Sequence, residues 1–580
     1  MLEDLPNLTE GRNLIVKSLK SQLKHALPAV FVGLIWTVMM VVGPLAIESG
    51  VDRGVLKENF KETLLWAGAI VLIGLLQGGA SAIRRYKAFS MAYGVETDLR
   101  RRLFDHLVRL HMGFHDSAQT GALMSRSVSD LQQVSNFAVN IPITLSSVVI
   151  LVASMIAMFL ISPLLAIIVI SFIPIFGGLT KIFSSKSNQK SLDFQKSLAS
   201  MSSLAQESIS GMRAIKGLGA EPAILQEAKL RINDIYRQAI SVARLRALYS
   251  PIQTVLSSVV LALIVFVGGY QVIKHELPLG AVIAFIAYVN MLAVPLGLIS
   301  FTVSMYPRAK ASAARVAQIL NLSPVITDPA KPKEISVKKG DTTVEFCNVT
   351  FSYPFLQHPI LENFSLTASS NEVIALVGPT GSGKTTIVKL LLRFYDVQQG
   401  SIKINGVDIR DLSLKHLRSQ IGIVFEDTFL FTDTIYSNIA FANPDKDFQA
   451  VKNAAKLAGI DDFIMSLPDG YNTIVKERGI NLSGGQRQRI AIARAIINDP
   501  AILVLDDATS AVDTEKEQEI LSAIKQVITN RLAIIIARRL STLALATRVV
   551  VIEKGKVVAS DSHDELLKGF PRYKELIGIT

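Results

Sequence analysis

A single cysteine, Cys347, stands in a chain of 580 residues. That excludes an intrachain disulfide framework and any cysteine-based zinc cluster, and Cys347 itself reads as a structural residue. Charge is scarce as well: 19% of residues are Asp, Glu, Lys or Arg, against 50% hydrophobic. A mean hydropathy of +0.39 excludes an ordinary soluble protein. The charge that is present leans basic, with a formal net of +12. In so apolar a chain this points to charge beside a membrane rather than to nucleic acid. Residues 1–26 are polar, and no short apolar core precedes a small-residue cleavage site, so no cleavable signal peptide is expected there.

The hydrophobic residues are concentrated. Six apolar runs lie near 27–48, 63–83, 139–161, 163–183, 251–273 and 277–305. Each is long enough to cross a hydrocarbon core of roughly 30 Å as a helix. The third and fourth are joined only by "ISPLL", a tight hairpin. Lys and Arg number 23 in the N-terminal segment and residues 84–138 and 181–250 together, against 4 in the alternate connections. That asymmetry places the N-terminus and both long connections on the cytoplasmic side. The long connections keep helical spacing, as in "VETDLRRRLFDHLVRLH", so the membrane helices are expected to continue well beyond the bilayer. The Arg100–Arg102 cluster reads as a solvated or headgroup-facing surface. The apolar centres lack Asp, Glu, Lys and Arg, so the path through the membrane carries no fixed charge there, and hydrophobic or amphipathic cargo fits better than a small ion. Gln77, Gln253 and Asn290 are candidates for lining that path, with bonding between helices as the simpler role. The "WTVMMV" stretch at 36–41 reads first as lipid-facing or packing surface.

Apolar periodicity stops at 321–342, where Pro and Lys accumulate, and this stretch is read as a linker between a membrane domain, 1–320, and a second domain, 343–580. The second domain carries "NEVIALVGPTGSGKTTIVKLLLRFY", a strand, a glycine-rich turn and a helix in that order. Gly378, Gly383, Lys384 and Thr385 fit the spacing G-x-x-x-x-G-K-[ST]. Glycine lets backbone N–H groups face phosphate oxygens, the lysine supplies charge to the β- and γ-phosphates, and the threonine hydroxyl reaches Mg²⁺. Pro379, Thr380, Gly381, Ser382 and Thr386 complete the candidate phosphate-binding set. About a hundred residues on, "NLSGGQRQR" opens another helix, with Ser483, Gly484, Gly485 and Gln486 as a second candidate anion site. "AILVLDDATS" then reads as a buried strand delivering Asp506 and Asp507 to its carboxyl end.

Taken together, these motifs resemble an ATP-binding cassette exporter half-transporter, six membrane helices fused ahead of an α/β P-loop nucleotide-binding domain. The resemblance covers nearly the whole chain. It implies ATP and Mg²⁺, with Tyr353 of "VTFSYP" stacking on adenine. It implies that Ser510–Asp513, "SAVD", is a loop crossing to a partner, and that "KERG" senses the membrane domain. "FHDSAQTGALMSRSVSD" and "ESISGMRAIKGLGAE" would be the two docking connections. Two nucleotide-binding domains would dimerise head to tail, each ATP lying between one chain's P-loop and the other's signature.

Three positions depart from the family pattern. Glu426 stands where Gln is usual, Asp507 where Glu follows the Walker B aspartate, and Arg538 where His is usual. All three belong to the site on this chain's own P-loop, whereas the signature is intact. Asp507 is one methylene short of the usual base. Arg538 has no acceptor with which to relay a proton. Glu426 loses an amide donor and adds negative charge near the γ-phosphate. Thr385, Asp506 and Glu426 are the candidate metal ligands; Asp507, Glu426 and Arg538 are the altered catalytic set. The expectation is a bacterial inner-membrane subunit resembling the degenerate-site half of heterodimeric multidrug and lipid exporters. Its partner would be a non-identical half-transporter. A peptide exporter of the same architecture, an importer and a nucleotide-gated regulator are the alternatives.

Overall fold

The computed structural model describes residues 7–354, 356, 358–507, 514–537 and 539–578. The chain divides into two units, one of Met1–Val108 with Thr120–Asn321 and the other of Arg109–Gln119 with Leu322–Thr580.

The first unit is helical throughout. Asn7 caps α1 (Leu8–Ser21), its side chain accepting from the Thr9 N–H at 2.9 Å. Then come α2 (Leu23–Ser49), α3 (Phe60–Arg109), the short α4 (Met112–Ser117) and α5 (Thr120–Ser125), and α6 (Leu131–Ile161). After them lie α7 (Pro163–Ser210), α8 (Met212–Leu218), α9 (Glu221–Ile273) and α10 (Leu279–Leu320). Of these, α4 belongs to the second unit. Among the described residues six helical segments are long and apolar enough to cross a membrane, matching the six apolar runs. The expected extensions are present: α3 has 50 residues and α9 has 53. Fifty residues at 1.5 Å make about 75 Å, well over twice the hydrocarbon thickness.

The breaks between helices follow local chemistry. Ser162, extended at φ −151°, separates α6 from α7, and Pro163 fills the first position of α7, where a missing N–H costs nothing. Gly219, at φ +63°, ends α8 in the left-handed conformation. Asp52, in a π-helical segment at Gly50–Val55, accepts from the Gly280 N–H at 2.8 Å and caps the start of α10. Only glycine fits there, since a Cβ would lie 2.5 Å from the Glu48 carbonyl oxygen.

The second unit is built on two sheets. β1 (Thr343–Phe351), β2 (Leu361–Ser369), β4 (Gln399–Ile404) and β5 (Val407–Asp408) form an antiparallel sheet in the order β2-β1-β4-β5. The larger sheet, ordered β10-β9-β3-β8-β7-β6, contains β3 (Val373–Val377), β6 (Ile421–Val424), β7 (Ile502–Asp506), β8 (Leu532–Ile536), β9 (Arg548–Glu553) and β10 (Lys556–Asp561). It is parallel except for β10. Every residue of β3, β7 and β8 is buried, as strands covered on both faces must be. Successive residues of β3 serve different cores. Ile374 and Leu376 pack with the antiparallel sheet and α11 (Lys384–Leu391), while Val373, Ala375 and Val377 pack on the opposite face with α12 (Gly484–Ile496). β3 lies inside the sheet between β9 and β8, and its carboxyl end opens into the glycine-rich turn, the usual ligand position of such folds.

Candidate nucleotide-binding site

The turn after β3 is held open by backbone that only glycine accepts. Gly381 and Gly383 lie at φ +82° and +101°. At Gly378 a Cβ would sit 2.1 Å from the Ile552 carbonyl oxygen. The turn runs directly into α11, so the first N–H groups of an eight-residue helix face the loop mouth. Lys384 bends back over it, donating to the Gly378 and Pro379 carbonyls at 2.7 and 2.8 Å and to the Ser382 hydroxyl at 3.3 Å. A cavity of 560 Å³ is lined by Gly378, Pro379, Thr380, Gly381, Gly383, Lys384, Thr385 and Thr386, with Tyr353 in its wall. Ser382 is buried behind the loop. A cation, helix N–H groups and an aromatic face around one cavity suit a nucleoside polyphosphate.

Tyr353 does not stand alone. Its hydroxyl lies 3.1 Å from the Thr386 hydroxyl, and its ring meets Phe351 and Tyr395 edge-on at 5.0 and 5.1 Å. Tyr395 in turn donates to Asp116 at 2.5 Å, and Lys389 pairs with the same carboxylate at 3.4 Å. Burial, and then the Asp116 carboxylate, push the Tyr395 phenol above its ordinary range, so it remains a donor. Asp116 belongs to "FHDSAQTG", part of the first of the two segments that the resemblance implies as docking connections. It lies in the same unit as the nucleotide cavity, with Phe114 buried beside it.

Asp506 ends β7 and Asp507 follows it, each 3% exposed. Asp507 has a left-handed backbone, φ +48°, and its N–H donates to the Ile536 carbonyl at 3.2 Å. Aspartate tolerates that conformation better than most residues. Glu426 lines a different cavity, of 850 Å³, together with Glu477, Arg478, Gly484, Arg487 and Gln488. Thr385 lines the first cavity and Glu426 the second. Oxygen donors such as the Thr385 hydroxyl and the Asp506 carboxylate suit Mg²⁺. Among the described residues no cluster of three or more His, Cys, Asp or Glu forms a metal cage.

The signature is preorganised. Ser483 caps α12: its hydroxyl accepts from the Gln486 N–H at 3.3 Å, and the Gln486 side chain accepts from the Ser483 N–H at 2.8 Å. The Ser483 hydroxyl and the Gln486 amide oxygen, read from sequence as anion-site residues, are therefore engaged in shaping the helix start. Gly484 and Gly485 contribute its first two N–H groups. Arg494, further along α12, donates to the Phe429 carbonyl and to Asn438, at 2.7 to 2.8 Å, and lies over the Phe431 and Phe441 rings. Its burial lowers its pKa to about 10.

Arg538 and the Ser510–Asp513 loop lie outside the described residues. The neighbouring arginine, Arg539, donates to Glu517 at 2.5 Å, and Ser541 donates to the same carboxylate. The Ser541 hydrogen bond and then Arg539 hold Glu517 below its ordinary pKa. Neither this pair nor the Tyr395–Asp116 contact is marked by a motif in the sequence.

The glutamine and asparagine candidates for the membrane path separate. Gln77 donates to the Met40 sulfur at 2.7 Å, joining α3 to α2, and Asn290 donates to the Ile286 carbonyl within α10. Gln253 lines a cavity between α7, α9 and α10. Arg84, counted just beyond an apolar run, is 4% exposed, and its guanidinium centre lies 4.0 Å from the Trp36 ring centroid.

Comparison with known proteins agrees with this geometry. Residues 27–296 match the ABC transporter transmembrane region, and residues 361–510 match the ABC transporter family. An uncharacterized ABC transporter ATP-binding protein of Bacillus subtilis, YknU, is 36% identical over 548 residues, 94% of this chain and 93% of that one. The ATP-dependent lipid A-core flippase of Syntrophus aciditrophicus is 34% identical over 93% of this chain and 90% of its own length. A bacterial Atm1-family ABC exporter with ATP bound superposes with a TM-score of 0.76, at 28% identity, covering 97% of this chain and 98% of that one. The chain belongs to the ABC transporter family. It has the exporter architecture of six membrane-spanning helices fused to an ATP-binding domain, and it is an integral membrane translocase of the ATP-hydrolysing class.

Proposed function

We propose that this chain is one half of a heterodimeric exporter of hydrophobic or amphipathic compounds, and that its own P-loop site binds ATP but cleaves it slowly. The observation that carries this is the uneven state of its motifs: Glu426, Asp507 and Arg538 replace three residues of one site, while Ser483–Gln486 is complete. Residues 1–320 form the translocation pathway, 321–342 the linker and 343–580 the engine, with the N-terminus and the engine on the cytoplasmic face of a bacterial inner membrane. Lys384 and the turn from Gly378 to Thr386 hold the phosphates, Tyr353 stacks on adenine, and Thr385 and Asp506 hold Mg²⁺, which screens the phosphate charge when bound. Asp507 directly follows Asp506, which pairs with Ile536 of β8, and its own N–H donates to the Ile536 carbonyl, which gives its shorter side chain little scope to advance toward an attacking water. A shortfall of over 1 Å is enough to cost about a hundredfold in rate. Gly484 and Gly485 present the signature N–H groups to ATP on a different partner chain that carries the full catalytic set.

The purified chain alone tests this. Even when self-associated it would use Asp507 and Arg538 in both sites, so little ATPase activity is expected. Robust turnover by the lone chain contradicts the heterodimer.

A further inference from the structure

The ring of Tyr353, in the wall of the P-loop cavity, lies beyond the end of β1 at Phe351. Its orientation therefore depends on neighbours rather than on strand pairing. One neighbour is Phe351 itself, and two more come from the chain after the P-loop. Tyr395, 6% exposed, meets the ring edge-on at 5.1 Å, with the planes 87° apart. The Lys389 ammonium lies 5.7 Å from the ring centroid. Both of these neighbours end on one carboxylate, that of Asp116 in α4. The Tyr395 hydroxyl donates to it at 2.5 Å, and the Lys389 ammonium lies 3.4 Å away. Backbone packing tightens the contact: at Gly113, three residues before Asp116, a Cβ would lie 3.1 Å from the Tyr395 ring. The phosphate half of the cavity is organised separately. Lys384 is held within the turn itself, by the Gly378 and Pro379 carbonyls and the Ser382 hydroxyl.

We propose that Asp116 is a positioning residue for the base-binding half of the nucleotide site: it holds Tyr395 and Lys389, and through them the Tyr353 ring. This rests on the reading of Tyr353 as the residue that stacks on adenine, and adds to it a side chain from outside residues 343–580. Tyr395 is buried, so its hydroxyl needs an acceptor, and loss of the carboxylate would leave a donor without one. The phenol would turn toward another partner, and its edge-on contact with Tyr353 would be lost. Lys389 would lose the group that aims its charge at the same ring. A ring fixed beforehand gives up less freedom when a base stacks on it, so the fixed platform binds more tightly. The phosphates gain nothing from this, because backbone N–H groups and Lys384 receive them. Coupling between two sites is reciprocal. If Asp116 strengthens the hold on the base, a bound base steadies Asp116 and α4. The α4 segment thereby responds to adenine, and not to a polyphosphate alone.

The test uses the full chain in nanodiscs with Mg²⁺ and two probes, the β,γ-imido analogue of ATP and inorganic tripolyphosphate. Both affinities are measured by calorimetry. Asp116→Ala should weaken the analogue about fivefold, as when a hydrogen bond to a charged acceptor is lost, and leave tripolyphosphate unchanged. Asp116→Asn, which keeps an acceptor for Tyr395, should recover most of that loss. Tyr395→Phe should match Asp116→Ala, and the two together should cost little more than either alone. Tyr353→Ala serves as the reference for loss of the base contact. If it leaves the analogue's affinity intact, the adenine reading itself fails. If it weakens the analogue and Asp116→Ala does not, the role given to Asp116 fails alone. Equal weakening of both probes by Asp116→Ala would mean a general loosening of the site and would also overturn it. Hydrogen exchange of the unsubstituted chain is a check that needs no variant to fold. The analogue should slow exchange at residues 112–119 and tripolyphosphate should not. Equal protection by both ligands, or by neither, would contradict the proposal.

Discussion

The two halves of the ATP chemistry on this chain have been treated differently. On the P-loop side the binding parts are complete, with three glycine-dependent backbone positions, a lysine folded over the loop and a buttressed tyrosine. Glu426, Asp507 and Arg538, which the proposed reading assigns to work on water, depart from the family pattern. On the signature side nothing is altered, and Ser483 and Gln486 lock the helix start in a reciprocal cap. On that reading binding and cleavage are separable burdens. A site can keep its phosphate cradle while its water-activating residues change, provided that it still has to close against a partner.

The largest effect that would break this comparison is expected at Ser483. Ser483→Arg removes the cap and puts bulk and charge into a close phosphate contact, and turnover of the assembled complex should fall by roughly a hundredfold or more, as when a preorganised anion-binding donor is lost. Next comes a gain. Arg538→His combined with Asp507→Glu should raise single-site hydrolysis on this chain about tenfold, within the range of a restored general base, with Arg538→His alone giving a smaller rise. A fall instead would make Arg538 a charge-stabilising catalytic group. Gln486→Ala, which deletes one of the two capping hydrogen bonds, should lower turnover of the complex only about threefold, the equivalent of roughly 0.7 kcal/mol. Smallest is Asp507→Ala, expected to reduce turnover of the complex by less than about twofold, because on the slow-site proposal this side contributes little hydrolysis. Equal losses from Ser483→Arg and Asp507→Ala would mean that both sites cleave ATP at similar rates.

Much of this could be read from the sequence, for a physical reason in each case. The spans are legible because lipid demands long apolar helices. Gly378 and Gly383 are legible because their spacing is set by a turn that excludes side chains. What escaped depends on tertiary structure. Tyr395 and Asp116 are 279 residues apart, and neither residue type predicts the other. Glu426 was read with the P-loop metal set, and that it also lines a cavity with Gly484 is set by tertiary structure. The membrane cavity that Gln253 lines needs the facing sides of three helices at once. Arg84 looked like a residue at the edge of a span until packing buried it against Trp36.

The slow-site account turns on which nucleotide remains on this chain while the complex works. An azido-adenine ATP labelled in its phosphates, cross-linked during steady turnover, reports this for each subunit separately, because adenine lies beside the P-loop of the chain it labels. The account predicts mainly triphosphate on this chain and mainly diphosphate on its partner. Comparable diphosphate on both subunits would contradict it.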